Sequence, residues 1–119
     1  MSDPDAGPIL VVEDNVIVAM DAAAILEGAG FAPVVTVATV ADAVAQIERR
    51  PPAAALLDVN LGDETSRAVA VLLIARGIPF GLTTGYTAPD GMDGFPDAPV
   101  LQKPYTEDGL RDLMRTLTS

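Results

Sequence analysis

Ala53-Ala54-Ala55-Leu56-Leu57-Asp58-Val59 is a seven-residue apolar run broken by a single carboxylate. A strand buried on both faces reads this way, as a continuous apolar stretch without alternation. Three other short apolar runs share its design, each followed at once by polar residues. Ile9-Leu10-Val11-Val12 leads into Glu13-Asp14, Pro79 to Thr83 into Thr84, and Val100-Leu101-Gln102 into Lys103-Pro104. If the four runs are parallel strands, all four clusters sit at one edge of one sheet. Open α/β sheets bind their ligands at that edge, beyond the carboxyl ends of the strands.

The segments between the runs have helical spacing. A helix is expected from Val16 to about Ala29, with Val16, Met20, Ala23 and Leu26 or Glu27 as its spacing and Gly28 and Gly30 as its exit. Pro33 to Val37 is a second strand, rich in β-branched residues. Thr39 caps the next helix, with Asp42 three positions on. Val40, Ala43, Val44 and Ile47 form its apolar face, Arg49-Arg50 suit its negative end, and Pro51-Pro52 stop it. Asn60 to Thr65 reads as a loop, and Ser66 to Arg76 as a helix ended by Gly77. Ile78 to Thr83 is the fourth strand and Ala98 to Gln102 the fifth. Thr106 caps the last helix, whose face is Leu110, Leu113, Met114 and Leu117.

This alternation predicts an α/β fold, a doubly wound five-stranded parallel sheet with right-handed crossovers. One unit breaks the pattern. Between Thr84 and Pro99 stand Gly85, Gly91, Gly94, Pro89, Pro96 and Pro99, which oppose a regular helix. The fourth helix is therefore expected to be short, irregular or mobile, with Met92 and Phe95 as apolar anchors. Residues 1–7 are expected to be a flexible lead-in to one domain spanning 1–119.

Half the residues are hydrophobic, enough for a proper core, yet no apolar stretch approaches the length of a membrane span. The first eight residues do not make a signal peptide. With no cysteine and no histidine, there is no disulfide framework, thiolate site or histidine-ligated zinc. A net charge of −10 repels nucleic-acid phosphates and favours a cation or a basic partner surface. Lys103 is the only lysine among seven basic residues, which singles it out.

Taken together, Glu13-Asp14 after the first strand, Leu57-Asp58-Val59-Asn60-Leu61, Thr84-Gly85-Tyr86 and Lys103-Pro104-Tyr105 resemble the receiver domain of two-component response regulators, a flavodoxin-like fold. The four motifs occur in order over essentially the whole chain. The resemblance implies a signalling protein rather than an enzyme, with Asp58 as phosphoacceptor, assisted by Lys103 and Thr84. It implies Mg²⁺ held by Asp14, Asp58 and the backbone carbonyl of Asn60, with Glu13 acting through a water. It also implies a cis bond before Pro104, and control of water access by Asn60 and Tyr86. Elementary chemistry agrees. Glu13, Asp14 and Asp58 crowded together repel, and a hard dication relieves that repulsion while keeping waters. Phosphoryl transfer then needs only positioning and charge neutralisation.

Two departures from the pattern stand out. Val100 occupies the place where receivers often carry an aromatic switch residue. The Gly/Pro-rich stretch and Pro79-Phe80 resemble a branch of small stand-alone alphaproteobacterial receivers, whose motif reads Phe-Ala-Thr-Gly where this chain has Leu82-Thr83-Thr84-Gly85. The implied partners are a histidine kinase or phosphotransfer protein and a downstream protein, in the cytoplasm, with no nucleic acid and no membrane. A receiver fragment of a hybrid kinase is the nearest alternative. An aspartyl-phosphate phosphatase would carry Asp-x-Asp after the first strand, where Glu13-Asp14-Asn15 stands. A flavin module would need a phosphate loop there, which two carboxylates oppose.

Overall fold

The computed structural model describes residues 7–85 and 95–118. Strands β1 (Ile9–Val12), β3 (Ala54–Asp58) and β6 (Phe80–Thr84) are buried throughout, while β2 (Val34–Val37) and β7 (Val100–Gln102) are partly exposed. The burial follows from the sheet order, β2-β1-β3-β6-β7, in which β1, β3 and β6 are central and β2 and β7 form the edges. Every pairing in this sheet is parallel. Helices α1 (Val16–Gly28), α2 (Val40–Arg49) and α3 (Arg67–Ala75) form crossovers between strands of this sheet, and α4 (Glu107–Thr118) follows β7.

Alternate strand residues feed two cores. Leu10, Val12, Ala55, Leu57, Phe80 and Leu82 pack with Ala43 and Ile47 of α2 and Val69, Ala70 and Leu73 of α3. Ile9, Val11, Ala54 and Leu56 pack with Ala22 and Leu26 of α1 and Leu110 and Met114 of α4. Each fully buried Leu or Met contributes about 1.5–3 kcal/mol from its removal from water. Gly81 lets α4 approach this second face, since a methyl group there would lie 2.9 Å from Leu113 Cδ2.

The expected caps and stops form. Thr39 Oγ1 accepts from the Asp42 N–H, Thr106 Oγ1 accepts from the Gly109 N–H, and Gly77 ends α3 with φ +69°. Two expectations need correction. The spacing offered for α1 is rotated from the true one. Val16 and Met20 are 66% and 65% exposed, and the buried residues are Ala19, Ala22 and Leu26. This helix is apolar almost all round, so spacing alone does not locate its face, and small alanines give the closest approach to the sheet. The segment Asn60 to Thr65 is a hairpin rather than an open loop. Strands β4 (Asn60–Leu61) and β5 (Glu64–Thr65) pair antiparallel.

Residues 95–99 carry no helix or strand, and Phe95 and Ala98 pack against the α2/α3 core. Tyr86, Met92 and the expected irregular helix up to Gly94 lie outside the described residues, as do residues 1–6 of the expected lead-in. Among the described residues, no helix is long and apolar enough to cross a membrane.

Candidate functional site

Strand order reverses between β1 and β3, because the chain goes from β1 outward to β2 and then returns to the far side of β1. A crevice opens at the carboxyl ends of strands at such a point. Glu13 and Asp14 follow β1, and Asp58 ends β3. One carboxylate oxygen from each of the three lies within 4.8 Å of the others. Glu13 and Asp58 are buried, and Asp14 is exposed at the mouth.

Consecutive residues after β1 divide the work. Asn15 Oδ1 caps α1 by accepting from the N–H groups of Ile17 and Val18. Glu13 Oε2 accepts from the Asn15 N–H at 3.1 Å, and its Oε1 accepts from Lys103 Nζ at 2.5 Å. Both Glu13 oxygens are thus engaged. Lys103 also donates to Asp58 Oδ2 at 3.0 Å, so one ammonium joins β7 to both acid-bearing strands. Burial pulls the Lys103 pKa down, but hydrogen bonds to Glu13 and Asp58 and their charges outweigh it, leaving it above the ordinary value of 10.5. Burial pushes the Tyr105 phenol up; of the nearby charges, Lys103 opposes this and Glu13, Asp21 and Asp58 add to it.

Thr84 ends β6 with its side chain buried, one residue beyond Thr83, the sheet partner of Asp58. Its carbonyl accepts from the Lys103 N–H at 2.8 Å, tying the hydroxyl and ammonium positions together through the backbone. The Lys103–Pro104 bond is cis, as the motif implied. Asn60 opens β4 two residues beyond Asp58. Val100, at the place of the aromatic switch, lies on the edge strand and is 49% exposed. Tyr86 lies outside the described residues.

The donor set fits a small hard dication. Its three carboxylates offer oxygen ligands, and Glu13 is already held at both oxygens by Asn15 and Lys103. Sequence reasoning missed three things here. Val16, Ile17 and Met20 form an exposed apolar surface on α1 immediately beyond the acid pair. Gly62 lies against Asp14, since a methyl group built on it would stand 3.6 Å from Asp14 Oδ2. Glu64 Oε2 accepts from the Val40 N–H, 24 residues away in sequence. The hairpin had a signal in Gly62-Asp63, a glycine-first pair of the kind that makes two-residue turns. The exposed α1 surface had none.

The chain is similar to solved structures. The solution structure of SdrG from Sphingomonas melonis Fr1 is 45% identical, with 100% of both chains covered and a TM-score of 0.81. The BeF3-activated conformation of SdrG from Pseudomonas melonis Fr1 is likewise 45% identical over 100% of both chains, with a TM-score of 0.78. A response regulator receiver protein from Sinorhizobium medicae WSM419 is 25% identical over 98% of this chain and 97% of its own, with a TM-score of 0.83. No family model and no curated protein matches the chain.

Proposed function

Since the chain belongs to the response-regulator receiver (CheY-like) family of two-component signalling proteins, we propose that Asp58 is its phosphoacceptor, charged by a histidine kinase or phosphotransfer protein in the cytoplasm. The observation that carries this reading is the Asp58 carboxylate, buried at the strand end, 3.0 Å from Lys103 Nζ and grouped with Glu13 and Asp14. A carboxylate oxygen of Asp58 attacks the phosphorus, the P–N bond of the donor phosphohistidine breaks, and its electron pair leaves with the imidazole nitrogen. A bound Mg²⁺ would supply charge neutralisation to the transferring oxygens, held by Asp14, Asp58 and the Asn60 carbonyl, with Glu13 behind a water. Lys103 turns from its carboxylate partners to the phosphoryl oxygens, and the Thr84 hydroxyl donates to them. The reading takes the whole of 1–119 as one receiver domain and leaves Asn60 and Tyr86 to modulate the lifetime of the acyl phosphate.

The donor is a protein surface in this reading. Val16, Ile17 and Met20 are exposed beside the acid crevice, and a cluster of large apolar side chains on a surface marks a contact site. The overall charge of −10 favours a basic or neutral partner and disfavours nucleic acid. The effect of phosphorylation is then exerted through contacts with a downstream protein.

Phosphoryl labelling from a small acyl phosphate tests the chemistry. Wild type is expected to label with Mg²⁺ and not with chelator, and Asp58→Asn not at all. Equal labelling of Asp58→Asn would move the acceptor elsewhere. Ile17→Ser is expected to label normally from the small donor but several-fold more slowly from a phosphorylated donor protein. Equal slowing with both donors would remove α1 from the docking surface.

A further inference from the structure

The β4–β5 hairpin runs from the acid crevice to the start of α2. Its base is fixed by two backbone bonds at Val59, whose N–H donates to the Thr83 carbonyl at 2.9 Å and whose carbonyl accepts from the Ser66 N–H at 3.0 Å. Asn60 pairs with Thr65 and Leu61 with Glu64, leaving Gly62-Asp63 as the turn. Gly62 has φ +70° and stands first in the turn, the position where a two-residue hairpin of type II′ requires glycine. The tip lies against Asp14 across the crevice. On the far side, Glu64 Oε2 accepts from the Val40 N–H at 3.2 Å. Val40 is the first residue of α2, and its N–H is one of the unpaired donors at that helix end. A carboxylate there is favoured by both the hydrogen bond and the helix dipole.

We propose that Glu64 is a positioning residue for the phosphoacceptor site. Its bond to the α2 N-terminus holds the hairpin over the crevice, so that Gly62 stays against Asp14 and Asn60 stays beside Asp58. The inference rests on the receiver reading of the site and adds a residue to it. Besides its Val59 base, the hairpin is held on the β4 side by Leu61, which is buried in the α2/α3 core, while β5 is exposed and Glu64 ties that outer side to α2. The sheet order makes this possible, since α2 starts from β2, on the opposite side of β1 from β3.

Two variants separate positioning from charge. Glu64→Ala removes the bond together with a negative charge near a cation site. Val40→Pro removes the same bond from the donor side and leaves the charge. Proline is well tolerated at the first helical position, and Thr39 before it is already extended at φ −132°, ψ 160°, as a residue preceding proline should be. Mg²⁺ affinity is read by calorimetric titration at constant ionic strength on protein shown to be folded by circular dichroism. Both single variants are expected to bind Mg²⁺ about tenfold more weakly, the scale of lost outer-shell support for metal ligands. The double variant should be no weaker than either single one. The Gly62 amide resonance should shift in both. Glu64→Gln, which keeps an acceptor oxygen, is expected to lose less than either.

Wild-type affinity in a folded Val40→Pro variant overturns the proposal, because it shows charge alone at work. Additive losses in the double variant overturn it too. If Val40→Pro does not fold, Glu64→Gln decides: a loss as large as that of Glu64→Ala assigns the effect to charge and sinks the idea. Should wild type itself bind no Mg²⁺, the reading of the whole site fails. If wild type binds, Asp14→Asn does not, and Glu64→Ala and Val40→Pro both match wild type, only the role of Glu64 fails.

Discussion

The two flanks of the crevice are built on different principles. The β1/β3 flank is over-determined. Both strands are buried along their full length, Asn15 caps the helix that follows, and a hairpin closes the top. The β6/β7 flank ends in an exposed edge strand and reaches the acids with one long side chain, Lys103, at 2.5 and 3.0 Å. A rigid acid cluster fixes where charge must be met. One ammonium on the opposite flank meets it through two ion pairs. The difference teaches that the acid side is held by strand burial and capping, whereas the cation side is held by one side chain through two ion pairs.

The sharpest way to break this comparison is to remove the bridging charge. Lys103→Met leaves Glu13 and Asp58 buried without their cation. Metal-free stability is expected to fall by about 3 kcal/mol, measured by urea unfolding, with most of it recovered in Mg²⁺. A loss under about 1 kcal/mol would show that the flanks are not held together by charge. Lys103→Arg should restore part of the stability without restoring signalling, because a planar fork does not replace a compact point charge.

Asp14→Asn sharpens the contrast from the acid side. Asp14 is exposed at the mouth and adds repulsion to its two buried neighbours. Its neutralisation should raise metal-free stability by about 0.5–1 kcal/mol, the ordinary scale of gain when a functional compromise is removed. The same change should abolish the Mg²⁺-induced rise in melting temperature that mass action predicts for wild type. A retained rise would take Asp14 out of the ligand set.

The smallest effect is expected just beyond the hairpin. Ser66 is fully buried at the start of α3, and its hydroxyl has no hydrogen-bond partner among the described residues. Ser66→Ala removes a desolvated polar group and should stabilise by about 1 kcal/mol, or about 4 °C in melting temperature. Destabilisation instead would show that the hydroxyl binds an ordered water there and that even this flank is less closed than its strands make it.

How much of this was legible in the chain varies with the kind of signal. The central strands, the caps at Thr39 and Thr106, and the stop at Gly77 are local chemistry. Each is written in a few adjacent residues, and each was readable. The convergence of Glu13, Asp14, Asp58, Thr84 and Lys103 followed from one topological rule, because a parallel sheet brings every strand's carboxyl end to the same edge. The face of α1 was not readable, since Val16, Ile17, Ala19, Met20, Ala22 and Leu26 are all apolar and only contact with the sheet selects among them. The bond from Glu64 to Val40 was not readable either. Glu64 reads locally as a loop acid, and its role exists only because the reversal of strand order lays the hairpin across β1 toward the start of α2. What the amino-acid order determined is therefore the elements and the edge at which they converge, because periodicity and capping act within a few residues. What the tertiary structure alone decided is which apolar face is spare and which carboxylate holds the site in place, because both depend on partners that meet only once the sheet is assembled.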